Sequence, residues 1–184
     1  MNKMSYVKKS IITAVCIALA VVLPMAFHSI PDAGRVILPM HIPVLLCGLV
    51  CGGAFGLLSG IAGPLVSHLV TGMPPAAYSP GMMIELAVYG LAAGFMMRLI
   101  RTGKVYVDLY ISLVAALLAG RLAAGVCSAI IFSAGSYSMT MWVTSYFITA
   151  LPGLIIQILV LPSLVFALEA ARLIPARYPK QRQH

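Results

Sequence analysis

The fold of this chain is decided by one apolar, glycine-rich stretch, residues 41–75, which reads HIPVLLCGLVCGGAFGLLSGIAGPLVSHLVTGMPP. Residues 42–70 contain no acidic or basic side chain apart from His68. A single helix of that length would need a heavy tilt in a bilayer, whose apolar core spans roughly 20 helical residues. Glycine permits tight turns and close helix packing. We therefore expect two short helices, about 41–57 and 59–71, joined by a glycine turn near the inner membrane face.

The composition of the whole chain also requires a membrane. Of the 184 residues, 61% are hydrophobic and 9% are charged, whereas a soluble domain is about half apolar and about a quarter charged. So few charged side chains cannot cover the surface of a soluble domain, and the same composition excludes intrinsic disorder. We read residues 1–184 as a single integral membrane domain of the all-α class, without room for a soluble catalytic domain.

Apolar runs separated by polar breaks predict a bundle of six transmembrane helices. We place them at about 10–27, 41–57, 59–71, 82–100, 107–133 and 141–168. The first run follows a basic start, as a signal peptide does, but it is long for one and no A-x-A cleavage site follows. It is therefore expected to be a retained helix. Two structured loops, 28–41 and the proline-rich 71–81, are expected on the outer face.

The positions of the basic residues indicate how the chain is oriented. Ten of the 12 lie at the N-terminal start, in the break after the fourth predicted helix, or in the tail: Lys3, Lys8, Lys9, Arg98, Arg101, Lys104, Arg172, Arg177, Lys180 and Arg182. An even number of crossings places all ten on one face, as the positive-inside rule expects. Both termini are then cytoplasmic, and the net charge of +8 indicates topology rather than a nucleic-acid partner.

No catalytic motif is found in the sequence. It has no G-x-x-x-x-G-K-[ST] phosphate loop, and no H-E-x-x-H or nucleophile elbow. Ser59, Ser67 and His68 lack an orienting acid for a serine hydrolase. Cys47 and Cys51 share a helix face, but no second ligand pair has zinc spacing, so we read them as small buried residues. We expect no enzyme activity, no metal and no cofactor.

Polar side chains inside apolar spans are costly and mark functional sites in membrane proteins. Glu85 lies near the outer end of the fourth predicted helix, with Tyr89 one turn below on the same face. Arg121 lies in the fifth, about 12 Å deeper than Glu85 by helical rise. Gln157 lies in the sixth. Each has a structural alternative: a neighbouring-helix partner for Glu85, a pair with Glu85 for Arg121, and an interhelical hydrogen bond for Gln157.

Four aromatic residues near the predicted outer face complete the candidate set. His41 begins the second helix, while Trp142 and Tyr146 begin the sixth. Side chains at that depth serve either as interface anchors or as walls of a pocket. Tyr78 lies in the proline-rich loop, where it can close over a ligand.

The stretch 41–75, followed by IELAVYGLAAG at 84–94, resembles the substrate-binding S components of energy-coupling factor (ECF) vitamin transporters. The likeness extends to LPGLIIQILVLP at 151–162 and to the length and expected topology. The resemblance implies a cavity near the outer face, walled mostly by helices four to six and covered by the first and third loops, that binds a water-soluble vitamin or precursor.

The same resemblance implies partners and a location. S components dock onto a membrane T component through small residues of the first helix, for which Ala14 and Ala18 are the matching pair. Two ATPase subunits drive uptake, which agrees with the absence of a phosphate loop here. The implied location is a bacterial-type plasma membrane with several spans.

The residues leave the substrate open. Arg121 facing a carboxylate, with Glu85, Tyr89 and Gln157 for hydroxyl or amide groups, favours a small anionic or strongly polar vitamin. Pantothenate leads, with a pyrimidine, a pyridoxine-type compound, lipoate or a queuosine precursor as alternatives. Folate is disfavoured, because one Trp offers little stacking area for a pterin. The rival functions are a stand-alone secondary transporter or channel, and a small intramembrane enzyme.

Overall fold

The computed structural model describes residues 4–27, 33–132 and 138–178. Every regular element in these ranges is helical. The α-helices are α1 (Tyr6–Ala26), α2 (Ala33–Val36), α3 (His41–Cys51), α4 (Gly53–Thr71), α5 (Ser79–Leu99), α6 (Val105–Cys127), α7 (Met139–Val143) and α8 (Leu151–Ala170). One π-helical turn continues α6 over Ser128–Phe132, and another continues α7 over Thr144–Ile148.

Five helices of the described chain are long and apolar enough to cross a membrane. They are α1, α4, α5, α8 and α6 with part of its π turn, Val105–Ile130. Helix α3 is also apolar but has only 11 residues, about 16 Å at the helical rise and therefore about half of the bilayer core. The protein is thus an all-helical, multi-pass membrane protein in its described part, and helix length alone does not establish a sixth crossing.

The turn inside the glycine-rich stretch lies at Gly52, so the expected boundary between helices 41–57 and 59–71 was wrong by about six residues. Gly52 has a φ of 100°, which favours glycine because a Cβ would be strained there. Helices α3 and α4 fold back on each other from this turn. Near the turn, the Cys51 thiol donates to the Lys9 carbonyl (3.8 Å). This contact places the turn near the start of α1.

Close contact between glycines joins α3, α4 and α5. A Cβ on Gly90 would overlap the backbone of Gly56, and one on Gly48 would overlap the carbonyl of Gly90. The three backbones therefore approach as closely as small residues allow, which is how helices associate in membranes. Beside this crossing, leucines of α3, α5, α6 and α8 form the buried core: Leu45, Leu86, Leu109, Leu113 and Leu161.

Both expected outer loops are structured where they are described, although residues 28–32 of the first lie outside the described ranges. The remainder of the first loop forms α2 and packs on α8, since a Cβ on Gly153 would lie 2.7 Å from the Val36 carbonyl oxygen. In the second loop, Nδ1 of His68 lies 2.7 Å from the Pro74 carbonyl oxygen. The Tyr78 amide donates to the carbonyl of Pro75 (2.9 Å).

The chain after α8 returns across one end of the bundle and binds a buried acid. Asp108, fully buried in the first turn of α6, accepts hydrogen bonds from Arg177 Nε (2.6 Å), the Tyr178 hydroxyl (2.7 Å) and the Thr102 hydroxyl (2.7 Å). Arg177 also donates to two carbonyl groups at the end of α5. We call Asp108, Thr102, Arg177 and Tyr178 the tail clasp.

Several of the described basic groups lie at this end of the bundle. Lys8 of α1 and Arg172 after α8 line one cavity of about 470 Å³, and the tail clasp joins Arg177 to the break between α5 and α6. The arrangement is the one that the positive-inside rule requires. Lys3, Lys180 and Arg182 lie outside the described residues.

Two predicted helix boundaries move for local reasons. Helix α1 begins at Tyr6, earlier than expected, because the Ser5 side chain caps its first turn by accepting a backbone N–H (3.2 Å). The expected helix 141–168 is interrupted before α8, and Pro152 lies in the first turn of α8, where its missing N–H costs nothing. The predicted start at 41 is that of α3, and the predicted starts at 82 and 107 differ from those of α5 and α6 by two or three residues. Residue 133, the expected end of the fifth helix, lies outside the described part.

Candidate ligand-binding site

Five of the predicted polar residues are buried inside the bundle. His41 begins α3, Glu85 and Tyr89 lie on α5, Arg121 lies on α6 and Gln157 lies on α8. Each residue is at most 8% exposed. Charged groups are rarely buried to this extent without a partner. We call His41, Glu85, Tyr89 and Arg121 the polar cluster, because the structure joins these four.

The acidic half of the polar cluster is a hydrogen-bonded group on α5 and α3. The Tyr89 hydroxyl donates to Oε1 of Glu85 at 3.0 Å, one helical turn away. Nε2 of His41 lies 3.7 Å from the same oxygen, and the rings of His41 and Tyr89 are 5.3 Å apart. The glutamate thus receives one hydroxyl and faces one imidazole.

Arg121 follows Gly120, the residue of α6 that meets Tyr89. The Tyr89 ring packs directly on Gly120, where any Cβ would overlap it. Helical rise alone predicted Arg121 to lie about 12 Å below Glu85. The packing of Gly120 on Tyr89 brings Arg121 within electrostatic reach of Tyr89. The difference in depth between Arg121 and Glu85 stays a prediction.

Aromatic residues after α6 also contact Arg121. Trp142 Nε1 donates to the Arg121 carbonyl at 3.1 Å, and the indole packs on Gly125. The rings of Trp142 and Phe147 meet edge to face at 5.2 Å, and the Arg121 guanidinium lies 5.5 Å from the centre of the Phe147 ring. These contacts favour a pocket wall over an interface anchor for Trp142.

Phe147 is absent from the sequence-based candidates. The signal that could have found it is its position one residue after Tyr146 and five after Trp142. A phenylalanine in an apolar run carries no polar group, so the sequence does not distinguish it from a core residue. Only the π-helical turn and the position of Arg121 show that its ring faces a charge.

Several buried polar atoms of the site have no hydrogen-bond partner within the described residues. They are both ring nitrogens of His41, Nε and Nη2 of Arg121, and Nε2 and Oε1 of Gln157. Buried polar groups are nearly always hydrogen-bonded, because burial without a partner costs a few kcal/mol. An interhelical hydrogen bond, the alternative reading of Gln157, is not among the described contacts. These atoms have the properties of a site that a polar ligand completes.

The other two predicted site tyrosines lie outside the polar cluster as defined. Tyr146 is half-buried and lies within electrostatic reach of Tyr89. Tyr78 precedes α5 and is 59% exposed, seven residues before Glu85. Residues 133–137, between the π turn after α6 and α7, lie outside the described chain.

Ala14 and Ala18 lie on the opposite side of α1 from the bundle. Both are exposed, whereas Thr13, Cys16 and Ala20 face inward. Helix α1 packs on α3 and α4 with this inner face. The two alanines are therefore left open for contact with lipid or with another protein.

The cysteines and the serine–histidine set take structural positions. Cys47 lies 3.4 Å from the Thr13 hydroxyl and packs with Cys16 and Cys51. Within the described ranges no group of three His, Cys, Asp or Glu side chains is arranged to hold a metal. Among the described residues, the His68 ring bonds the loop carbonyl of Pro74 rather than a serine.

The fold and the site together define a multi-pass helical membrane protein with a buried, incompletely hydrogen-bonded polar cluster. The family model described as "ECF transporter, substrate-specific component" matches residues 8–165. The chain therefore belongs to the family of substrate-specific components of ECF transporters. No curated protein and no solved structure matches it significantly.

Membership in this family makes the chain a membrane-embedded, substrate-binding subunit of an ECF transporter. Such a subunit takes part in transport and is not itself catalytic. Its partners are a T component, ATPases and a small-molecule substrate.

Proposed function

We propose that this chain binds a small, anionic or strongly polar vitamin or vitamin precursor with high affinity and delivers it to an ATP-driven module for uptake. The observation that carries the proposal is the buried guanidinium of Arg121, backed by Phe147 and left with Nε and Nη2 unbonded within the described chain. A carboxylate that accepts both N–H groups satisfies such a guanidinium best. Pantothenate leads among the candidate vitamins.

Each site residue takes a role in this proposal. Arg121 binds the ligand carboxylate, while Glu85, Tyr89 and Gln157 bind hydroxyl or amide groups. The aromatic and imidazole side chains wall and cover the ligand: His41, Trp142, Tyr146 and Tyr78. Support for these roles comes from the burial of the polar cluster and from its unbonded atoms.

The proposed topology has six crossings, with both termini in the cytoplasm of a cell with a bacterial-type plasma membrane. In it, α3 and α4 count as two crossings joined at Gly52. Support comes from the gathering of the tail clasp, Lys8 and Arg172 at one end of the bundle, since basic residues favour the cytoplasmic side. The polar cluster then lies toward the outer face.

Docking onto the T component is assigned to Ala14 and Ala18. Both are exposed on a membrane-spanning helix whose other face is used within the bundle. Small residues let a partner helix approach the backbone closely. The energy for uptake comes from two ATPase subunits, since this sequence carries no phosphate loop.

The test is a thermal-shift screen of the purified chain against water-soluble vitamins, followed by variants. We expect Arg121→Ala to weaken binding of the stabilising vitamin by roughly 2 kcal/mol or more, about 30-fold, because it removes a charged hydrogen-bond donor. Ser112→Ala is the matched control, since Ser112 is a buried polar residue of the same helix. Unchanged affinity in a folded Arg121→Ala protein removes Arg121 from the site.

Reconstitution in proteoliposomes separates the rival functions. The proposal expects binding by the chain alone and ATP-dependent uptake only when the T component and ATPases are present. Uptake by the chain alone indicates a secondary transporter or channel. A chemically altered product indicates an enzyme.

A further inference from the structure

The polar cluster contains one buried carboxylate and one buried guanidinium that are not paired with each other. Among the described side chains, ion pairs join His41 to Glu85 and Arg177 to Asp108, and none joins Arg121 to Glu85. We infer that the ligand has two ends, an acidic group that meets Arg121 and a hydrogen-bond-donating group, hydroxyl or N–H, that meets Glu85. This inference rests on the proposed function and narrows its substrate class.

Tyr89 contacts both Glu85 and the residue next to Arg121. Its hydroxyl donates to Glu85 Oε1 at 3.0 Å, and its ring packs on Gly120, next to Arg121. Because Tyr89 is completely buried, it cannot swing aside without disturbing the packing of α5 on α6. Tyr89 therefore fills the space between Glu85 and the residue next to Arg121, and among the described side chains the two charges form no ion pair.

The basic end requires an acceptor. Arg121 is 2% exposed, and its Nε and Nη2 lack a hydrogen-bond partner in residues 4–27, 33–132 and 138–178. A guanidinium only donates and stays charged, and a buried charge without a partner is strongly unfavourable. The Phe147 ring contributes a cation–π contact at 5.5 Å but accepts no conventional hydrogen bond. A carboxylate on the ligand supplies both the negative charge and the two acceptor oxygens.

The acidic end requires a donor. A glutamate carboxylate has about four acceptor sites, and the described side chains supply Glu85 with one hydrogen bond, from Tyr89. Nε2 of His41 is 3.7 Å away, beyond hydrogen-bond distance. A second acidic group here would meet a like charge, which is disfavoured. A hydroxyl or N–H group on the ligand satisfies the carboxylate instead.

Gln157 does not decide between the two ends. Its amide is buried, and both Nε2 and Oε1 are unbonded within the described chain, so it can donate to one ligand group and accept from another. Glu85 and Arg121 therefore decide which chemical group each end of the ligand carries. Compounds that carry only an acid, or only donors, satisfy one end and leave the other unpaired.

The first experiment compares ligands on the wild-type full-length chain in detergent, using thermal unfolding and equilibrium binding. Pantothenate and biotin carry an acid and a distant donor; lipoate carries the acid without such a donor; panthenol and pyridoxine carry donors without the acid. We expect a two-ended compound to bind at least tenfold more tightly than any one-ended compound. Equal or tighter binding by lipoate, panthenol or pyridoxine overturns the inference and leaves the proposed function standing. No binding by any compound counts against both.

The second experiment assigns each end to its residue. In Arg121→Gln, pantothenate and panthenol should differ less than threefold in affinity, because the partner of the acid is gone. In Glu85→Gln, the preference for the acid should remain while overall affinity falls. Ser112→Ala should keep the wild-type preferences. If both site variants keep the wild-type preference for pantothenate over panthenol, the assignment of the ends is overturned; should either fail to fold, the wild-type comparison still decides.

Discussion

Replacing Gly120 by alanine tests whether the packing of Tyr89 builds the site. A Gly→Ala change inside a helix ordinarily stabilises by about 1 kcal/mol. Here the new Cβ would lie 2.9 Å from Cγ of Tyr89 and closer still to other ring atoms, so the ring must move. Overpacking of this kind costs about 1–3 kcal/mol. We therefore expect Gly120→Ala to lower the free energy of unfolding by about 1 kcal/mol in net terms, whereas a Gly→Ala change in a helix ordinarily raises it.

The same change should weaken ligand binding. A displaced ring carries the Tyr89 hydroxyl away from Glu85, breaking a 3.0 Å hydrogen bond to a charged group, and such bonds contribute about 1.5–3 kcal/mol. The ring would also move toward the space beside Arg121. We expect the affinity for the tightest-binding compound of the vitamin panel to fall by about tenfold or more.

The assay is chemical and thermal unfolding in detergent, together with equilibrium binding. Tyr89→Phe is the control, because it removes the hydroxyl and keeps the ring on Gly120. A double variant, Gly120→Ala with Tyr89→Ala, should lose less stability than the sum of the two single changes, since contacting residues couple by about 0.5–3 kcal/mol. Two results would contradict the proposed role of the Gly120–Tyr89 contact. One is a Gly120→Ala protein at least as stable as the wild type with unchanged affinity. The other is a double variant whose loss of stability equals the sum of the losses of the two single variants.

Three further predictions concern the rest of the bundle. Gly90→Ala sets a Cβ against helix backbone that cannot yield, so we expect a loss of about 2 kcal/mol or more, while Gly34→Ala, with nothing within 4 Å, should keep the wild-type melting temperature. Asp108→Asn should lower the free energy of unfolding by about 3 kcal/mol and expose the tail to limited trypsin digestion; unchanged protection would contradict the tail clasp. Ala14→Leu with Ala18→Leu should keep vitamin binding and abolish co-purification with the T component; lost binding with assembly retained would show the interface to be misplaced.

Several features of the site were predictable because they depend on residue type in an apolar context. A glutamate, an arginine and a glutamine inside hydrophobic runs stand out in the sequence, and all three are buried in the structure. The five long apolar helices follow from the same contrast. Phe147 could not be found in this way, because its chemistry resembles that of the surrounding apolar residues.

The position of the glycine turn and the pairing of residues between helices were less predictable. The stretch 41–75 offers several glycines, and only packing selects Gly52 as the residue with φ of 100°. The residue of α6 that meets Tyr89 is likewise selected by packing between helices. The helical rise along one chain segment does not specify it. Helix length is a local property, but the register between two helices depends on side chains far apart in sequence.

The amino-acid composition and the order of apolar and polar residues are sufficient to predict a helical bundle in the membrane that holds a few polar groups inside it. The reason is that hydrophobicity and charge act residue by residue against the bilayer. The contacts of Tyr89 with Glu85 and with the neighbour of Arg121, and the binding of Asp108 to a tail some 70 residues away, depend instead on how the helices pack. Those contacts arise from the packing of one helix on another, a property of the assembled chain rather than of any segment.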